Sequence, residues 1–316
     1  MPTLTEDDLT TQLGSRSMIS RRGLLGAATV AALTGAAVSR LPASPAAAAA
    51  GTIDLSRGPL IGMNARAALW DQQAREVGPG LAARRIFASL AAGPSNQIRL
   101  VEAAHADGLL PVISYGVRGD ISGAINGRYN AVADEAAERL ASYGLPTAVT
   151  FWHEPNPALS GAEYAAASRQ LVPIFQRGEL RVGPILNGWL LARQQPLFSS
   201  FCPDDLMETW DWFGIDTYET GTALAPSAFK PADAIRSLST FVRSRGHDLP
   251  LGIGEYNAQT AEALTATGEA LFTTPNVWFG CVWNQDLEFS SVLTGDRLAA
   301  FRQTLADPRS AAPLPV

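Results

Sequence analysis

Between residues 60 and 283 the chain repeats one pattern: a short apolar run, then a longer stretch whose apolar residues return every three or four positions. The short runs carry β-branched or aromatic residues and predict strands at Leu60–Met63, Arg85–Ala88, Leu110–Tyr115, Ala148–Trp152, Arg181–Leu186, Trp212–Asp216, Leu251–Gly254 and Trp278–Trp283. Helical periodicity is clearest over Tyr129–Tyr143, Ala162–Gln176, Asp233–Ser244, Thr260–Leu271 and Asp296–Leu305. Tyr143-Gly144-Leu145-Pro146 and Arg245-Gly246 supply the glycine stops expected at helix ends. Strand and helix in alternation predict an α/β fold with a parallel sheet and crossover helices. Gly62-Met63-Asn64-Ala65-Arg66 after the first strand is no G-x-G-x-x-G phosphate loop. Eight repeats in this length favour a single (β/α)8 TIM barrel over an open doubly wound sheet. No linker or internal repeat divides residues 51–306, so one barrel domain is expected there. Residues 307–316, with three prolines, are expected to form a flexible tail.

The first 50 residues follow a different logic. Arg21-Arg22 precede a weakly apolar stretch, Leu24 to Val38, and an alanine tract, Ala46 to Ala50, offers several A-x-A cleavage sites. This segment resembles a bacterial twin-arginine signal peptide, which implies export of the folded chain and a secreted product. The stretch is short of the roughly 20 apolar residues that span a bilayer, and no cysteine lies near the cleavage region, so no stable membrane anchor is expected.

Charge narrows the function. Acidic residues number 30 against 24 basic ones, a net charge of −6, and the single lysine is Lys230. The leader holds three acids and four arginines, so the mature chain is slightly more acidic. Nothing here neutralises phosphates, so nucleic acid is not an expected partner. His105, His153 and His247 share no metal-ligand spacing, and Cys202 and Cys281 form no zinc motif, so neither a metal nor a cofactor is expected. Both cysteines are expected as free thiols, and the protein as a monomer.

In a (β/α)8 barrel the chemistry sits where strands give way to loops on the C-terminal face. The fourth strand runs into Trp152-His153-Glu154-Pro155-Asn156 and the sixth into Asp216-Thr217-Tyr218-Glu219. The seventh ends in Gly254-Glu255-Tyr256-Asn257 and the eighth in Trp283-Asn284-Gln285-Asp286. Acids and aromatics gather at one end of the expected barrel. Glu154 and Glu255 fall on strands that face each other across the mouth, the arrangement in which two carboxyl groups flank a glycosidic bond. One must be protonated and the other ionised. Asn187-Gly188-Trp189 closes the fifth strand with a polar and aromatic pair suited to a sugar subsite, because sugar C–H faces stack on indole rings. Asp216 reads as a strand-end ligand for backbone or arginine.

These strand ends resemble the retaining glycoside hydrolases of clan A, and His153 before Glu154 is similar to family 26, which includes many β-mannanases. The likeness covers the fourth to eighth strands. It implies Glu154 as acid/base, Glu255 as nucleophile, Tyr218 as hydrogen-bond donor to the nucleophile and Trp283 as the floor beneath the sugar ring. It implies substrate contacts for His153 as well, and a polysaccharide or oligosaccharide substrate. The chain departs from family 26 at Thr150-Phe151-Trp152, where an arginine is common, and at Ile113-Ser114-Tyr115-Gly116, where a histidine is. A non-catalytic carbohydrate-binding barrel, or a transglycosylase or lyase acting on cell-wall glycan, shares the same residues.

Overall fold

A computed structural model describes residues 53–286 and 292–315; the twin-arginine segment lies outside them. The strands are β1 (Leu60–Asn64), β2 (Ala83–Ser89), β3 (Leu110–Gly116), β4 (Thr147–Phe151), β5 (Leu180–Val182), β6 (Ile185–Asn187), β7 (Phe213–Tyr218), β8 (Gly221–Thr222), β9 (Ala225–Pro226), β10 (Leu251–Asn257) and β11 (Val277–Trp283). Nine of them form one sheet in the order β5-β4-β3-β2-β1-β11-β10-β7-β6, with every neighbouring pair parallel. β8 and β9 form a small antiparallel hairpin after β7.

β5 and β6 are two halves of the single expected strand Arg181–Leu186, and they close the barrel. The first half pairs with β4 and the second with β7. Pro184 has no N–H to give a ladder, which breaks the strand at Gly183-Pro184. The peptide there still bridges both neighbours: Gly183 N–H donates to Val149 O at 3.0 Å, and Gly214 N–H donates to Pro184 O at 2.9 Å. Gly183 is required by space, because a Cβ there would lie 2.3 Å from Trp212 O. Eight barrel positions result, as the sequence predicts.

Strand alternation builds two cores. Leu60, Leu110, Val112, Ala148, Trp212, Trp278, Phe279 and Cys281 pack with one another inside the barrel. Their sequence neighbours Ile61, Ile113 and Val149 join a larger cluster with helix residues such as Val101, Leu140, Leu171 and Leu238. Helices end close to where periodicity puts them: Asn130–Ala141, Gly161–Phe175, Pro231–Ser244, Ala261–Thr273 and Gly295–Ala306. Gly161–Phe175 begins with a capping box, in which Glu163 N–H donates to Ser160 Oγ at 3.2 Å and Ser160 N–H to Glu163 Oε2 at 2.9 Å. Both cysteines are free and buried.

The tail differs from the flexible segment expected. Its prolines do keep residues 307–315 out of helix and strand. Yet Ala311 N–H donates to Pro59 O at 3.0 Å, Leu314 N–H to Gly108 O at 2.7 Å, and Arg57 Nη2 to Ala312 O at 3.0 Å. Ala311 is buried against the floor of the barrel interior. Among the described residues no helix is long and apolar enough to cross a membrane.

Candidate active site

Along an extended strand His153 and Glu154 point to opposite sides of the sheet. The end of β4 avoids this by turning: Trp152 and Glu154 have φ of 49° and 45°, left-handed values that cost a non-glycine residue about 1–3 kcal/mol and cluster at functional sites. Backbone bonds fix the turn, with Trp152 N–H on Tyr115 O at 2.8 Å and Glu154 N–H on Ile185 O at 2.9 Å. Both side chains thereby reach the mouth. Glu154 is hydrogen-bonded by Asn187 and lies in the field of Glu255. The His153 ring sits 5.0 Å from that of Phe87.

A bulge places the second glutamate. Ile253 pairs with Ile215, but Glu255 pairs with Asp216, so Gly254 is an extra residue on β10. A Cβ there would lie 2.5 Å from Asp216 Oδ1 and 2.6 Å from Ile185 Cδ1, so both side chains would have to shift to admit one. Asn187 also pairs with Asp216, so Asn187, Asp216 and Glu255 form one layer across three adjacent strands. Tyr218, two residues beyond Asp216, donates its hydroxyl to Glu255 Oε2.

The other oxygen of Glu255 faces a cation. Arg85, in the middle of β2, is fully buried, with Nη2 3.4 Å from Glu255 Oε1. Its Nη1 donates to Ser114 Oγ at 2.7 Å, and the guanidinium lies 4.4 Å from the centre of the Phe87 ring. Among the described residues Glu154 forms no ion pair. Burial, and then the charge of Glu255, push its carboxyl up to about 8, against weaker pulls from Arg85 and Asn187. Burial also raises Glu255, but Arg85 and the Tyr218 hydroxyl pull it back toward ionisation. Tyr218 is held well above its ordinary value by burial and by Glu255, so it stays a phenol and a donor. Burial, and then Arg85, keep His153 well below its ordinary value, as neutral imidazole.

Asp216 lies at the strand end in the field of Arg85, and the Glu255 amide also favours its charged form, yet neither of its buried oxygens makes a hydrogen bond of normal geometry. Burial and the Glu255 charge raise the Asp216 carboxyl well above its ordinary value.

Glu154, Glu255, His153, Tyr218 and Asn187 therefore lie together at the mouth. Trp283 closes one side, its ring 5.9 Å from Phe87 and its buried Nε1 without a partner. Its backbone is fixed by Asn257 Nδ2, which donates to Trp283 O at 2.7 Å. Trp189 stands apart on the helix Gly188–Arg193, 49% exposed. Sequence reasoning missed Arg85 and Phe87. The signal was present: Ala83-Arg84-Arg85-Ile86-Phe87 sets two cations inside an apolar strand, and a buried charge requires a partner.

No family model matches the chain, and no curated protein matches it in sequence. Solved structures match in fold. Thermotoga maritima Cel5A, in complex with mannotriose, is 13% identical with a TM-score of 0.53, covering 78% of this chain and 97% of that one. A mutant of a family 128 (subgroup I) endo-β-1,3-glucanase from Amycolatopsis mediterranei, in complex with laminarihexaose, is 16% identical with a TM-score of 0.50, covering 78% and 99%. A tri-modular family 5 (subfamily 4) endo-β-1,4-glucanase from Bacillus licheniformis, complexed with cellotetraose, is 14% identical with a TM-score of 0.53, covering 83% and 61%. The architecture these likenesses share with the chain is the (β/α)8 barrel.

Proposed function

We propose that the chain is a glycoside hydrolase that cleaves a β-linked polysaccharide by double displacement. The observation that carries this reading is the asymmetry of the two carboxyl groups. Glu154 is held protonated at neutral pH, whereas Glu255 faces the Arg85 guanidinium and the Tyr218 hydroxyl. A Glu255 oxygen attacks the anomeric carbon as the glycosidic C–O bond breaks, and the leaving oxygen takes the proton of Glu154. Glu154, now a carboxylate, takes a proton from water; the water oxygen attacks the same carbon and releases Glu255. Retention requires the carboxyl groups to stand about 5–5.5 Å apart. Trp283, His153 and Asn187 are assigned to the sugar at the cleavage point and Trp189 to a neighbouring unit.

The chain lacks the arginine that family 26 enzymes carry shortly before His153 and the histidine they carry at the end of β3, which argues against mannan as the preferred polymer. Each lost charged hydrogen bond to substrate costs about 1.5–3 kcal/mol. The experiment is a screen of β-glucans, xylan, β-mannan and bacterial wall glycans, reading reducing ends, with Glu255→Ala as blank. Cleavage of a β-linked polymer with retained anomeric configuration, and weak turnover of mannan, is expected; silence on every glycan, with saccharide binding intact, favours the binding-only barrel. We further propose a monomer exported through the twin-arginine route. Replacing Arg21 and Arg22 by lysine is expected to hold the precursor in the cytoplasm, and normal secretion of that variant refutes the route.

A further inference from the structure

Three strands deliver one metal-binding donor each to the same point in the barrel mouth. An imidazole nitrogen of His153, a carboxylate oxygen of Asp216 and one of Glu255 all lie within 4.8 Å of one another. The double-displacement chemistry gives Asp216 no task. Its side chain is almost entirely buried, 1% exposed as a residue, and both oxygens lack a hydrogen-bond partner. Buried carboxylate oxygens ordinarily find donors, so an unpartnered carboxylate with one oxygen in reach of His153 and Glu255 marks a place for a ligand that supplies positive charge. Glu255 Oε1 is in a similar state, with only the 3.4 Å approach of Arg85.

We propose that His153, Asp216 and Glu255 form a binding site for a divalent cation of the zinc type, which sits on the nucleophilic carboxylate and blocks it. A point at the centre of a triangle with 4.8 Å sides is at most about 2.8 Å from each corner, and zinc bonds to nitrogen and carboxylate oxygen run about 2.0–2.2 Å. The side chains need draw in by less than one ångström. One imidazole and two carboxylates supply nitrogen and oxygen donors of the kinds zinc takes, and three protein ligands with a fourth position open to water is the arrangement of open zinc sites. Calcium and magnesium prefer all-oxygen shells, the latter a near-ideal octahedron completed by water, so the imidazole in this set favours zinc over either. Arg85 opposes the cation with a single charge, tethered to Ser114, against the two carboxylates the metal neutralises. The turned end of β4 and the bulge of β10 bring the three donors together, so no short-range sequence spacing encodes the site.

Metal binding does not depend on the glycosidase reading; inhibition does. The test titrates zinc chloride calorimetrically into the metal-free protein, into His153→Gln and Asp216→Asn, and into His247→Gln as a control on the opposite face. Circular dichroism and melting curves establish folding before titration. One equivalent of zinc is expected to bind wild type and the control alike, with about tenfold or greater weakening in each site variant and no competition from magnesium in excess. Anomalous diffraction at the zinc edge from soaked wild-type crystals gives a second measurement should a variant fail to fold, with the peak expected between the three side chains. Undiminished binding in both folded variants, a peak elsewhere, or no binding overturns the site. Zinc binding together with silence on every glycan leaves the site standing and removes the glycosidase reading. Competitive inhibition by zinc of an active enzyme supports both.

Discussion

Two carboxyl groups in one barrel mouth have different immediate neighbours, and under the proposed double displacement each difference has a kinetic signature. In that mechanism Glu154 acts through its proton, and its carboxyl, raised to about 8, loses that proton as pH rises through this value. Turnover is therefore expected to fall on the alkaline side near pH 8. Glu154→Gln should abolish that limb and cost about 10²–10⁴-fold in kcat on polysaccharide. A pH profile that falls well below this value assigns the acid role to another group. In the same mechanism Glu255 acts as an anion, and Arg85 is the charge that favours its ionised form. Arg85→Met removes that charge, so the Glu255 carboxyl rises and the acidic limb of kcat/KM should move to higher pH. Removing one partner of a buried pair also destabilises by about 3–5 kcal/mol, so the variant is best assayed at low temperature beside its melting curve. An unmoved acidic limb in a folded Arg85→Met excludes the guanidinium as the group that tunes Glu255.

At the scale of elements, irregularities rather than regular strands aim the chemistry. The bulge at Gly254 aligns Glu255 with Asp216, and an added methyl group meets Asp216 Oδ1 at 2.5 Å and Ile185 Cδ1 at 2.6 Å. Overpacking of this kind costs about 1–3 kcal/mol. Gly254→Ala is expected to lower the melting temperature by several degrees and to remove most activity, because relieving the clash shifts Glu255 itself. Activity near wild type would mean that the bulge tolerates a side chain. Periodicity made the helices and most strands legible, since burying one face imposes a spacing that survives in the sequence. Glu154 and Glu255 were legible for a related reason: each follows a strand core, and barrel chemistry sits there, whereas Tyr218 was reached only through the resemblance. What stayed hidden depends on backbone turns. The left-handed residues Trp152 and Glu154, which bring His153 into the mouth, are ordinary side chains with no glycine to announce them. Asp216 was undervalued because its pairing with Glu255 rests on a register shift. The break within Arg181–Leu186 hid in the same way, although Gly183-Pro184 was its visible sign.

At the scale of the whole molecule the barrel separates chemistry from support. Strand C-termini carry Arg85's partner Glu255, with Glu154 and Tyr218, whereas the N-terminal face is closed by the tail. Ala311 packs into the interior cluster with Leu60, Leu110 and Trp278, and Leu314 lies against its edge. Arg309, in the same segment, forms a two-bond ion pair with Glu269 at 3.0 and 2.7 Å. That pair is exposed and screened, so the contribution of the tail rests on covering apolar surface. Burial of such side chains is worth about 1.5–3 kcal/mol for a large one and less for alanine, which puts the tail at roughly 2–4 kcal/mol. A chain ending at Ala306 is expected to melt several degrees lower, at about 2–4 °C per kcal/mol for a domain of this size. Its kcat at 25 °C and its alkaline limb should match the full chain, because the tail lies at the end of the barrel opposite to the carboxyl pair. An unchanged melting curve would mean that the tail hydrogen bonds carry no net stability. A displaced alkaline limb would mean that the floor of the barrel reaches the mouth through the packed interior of Trp212, Trp278 and Phe279.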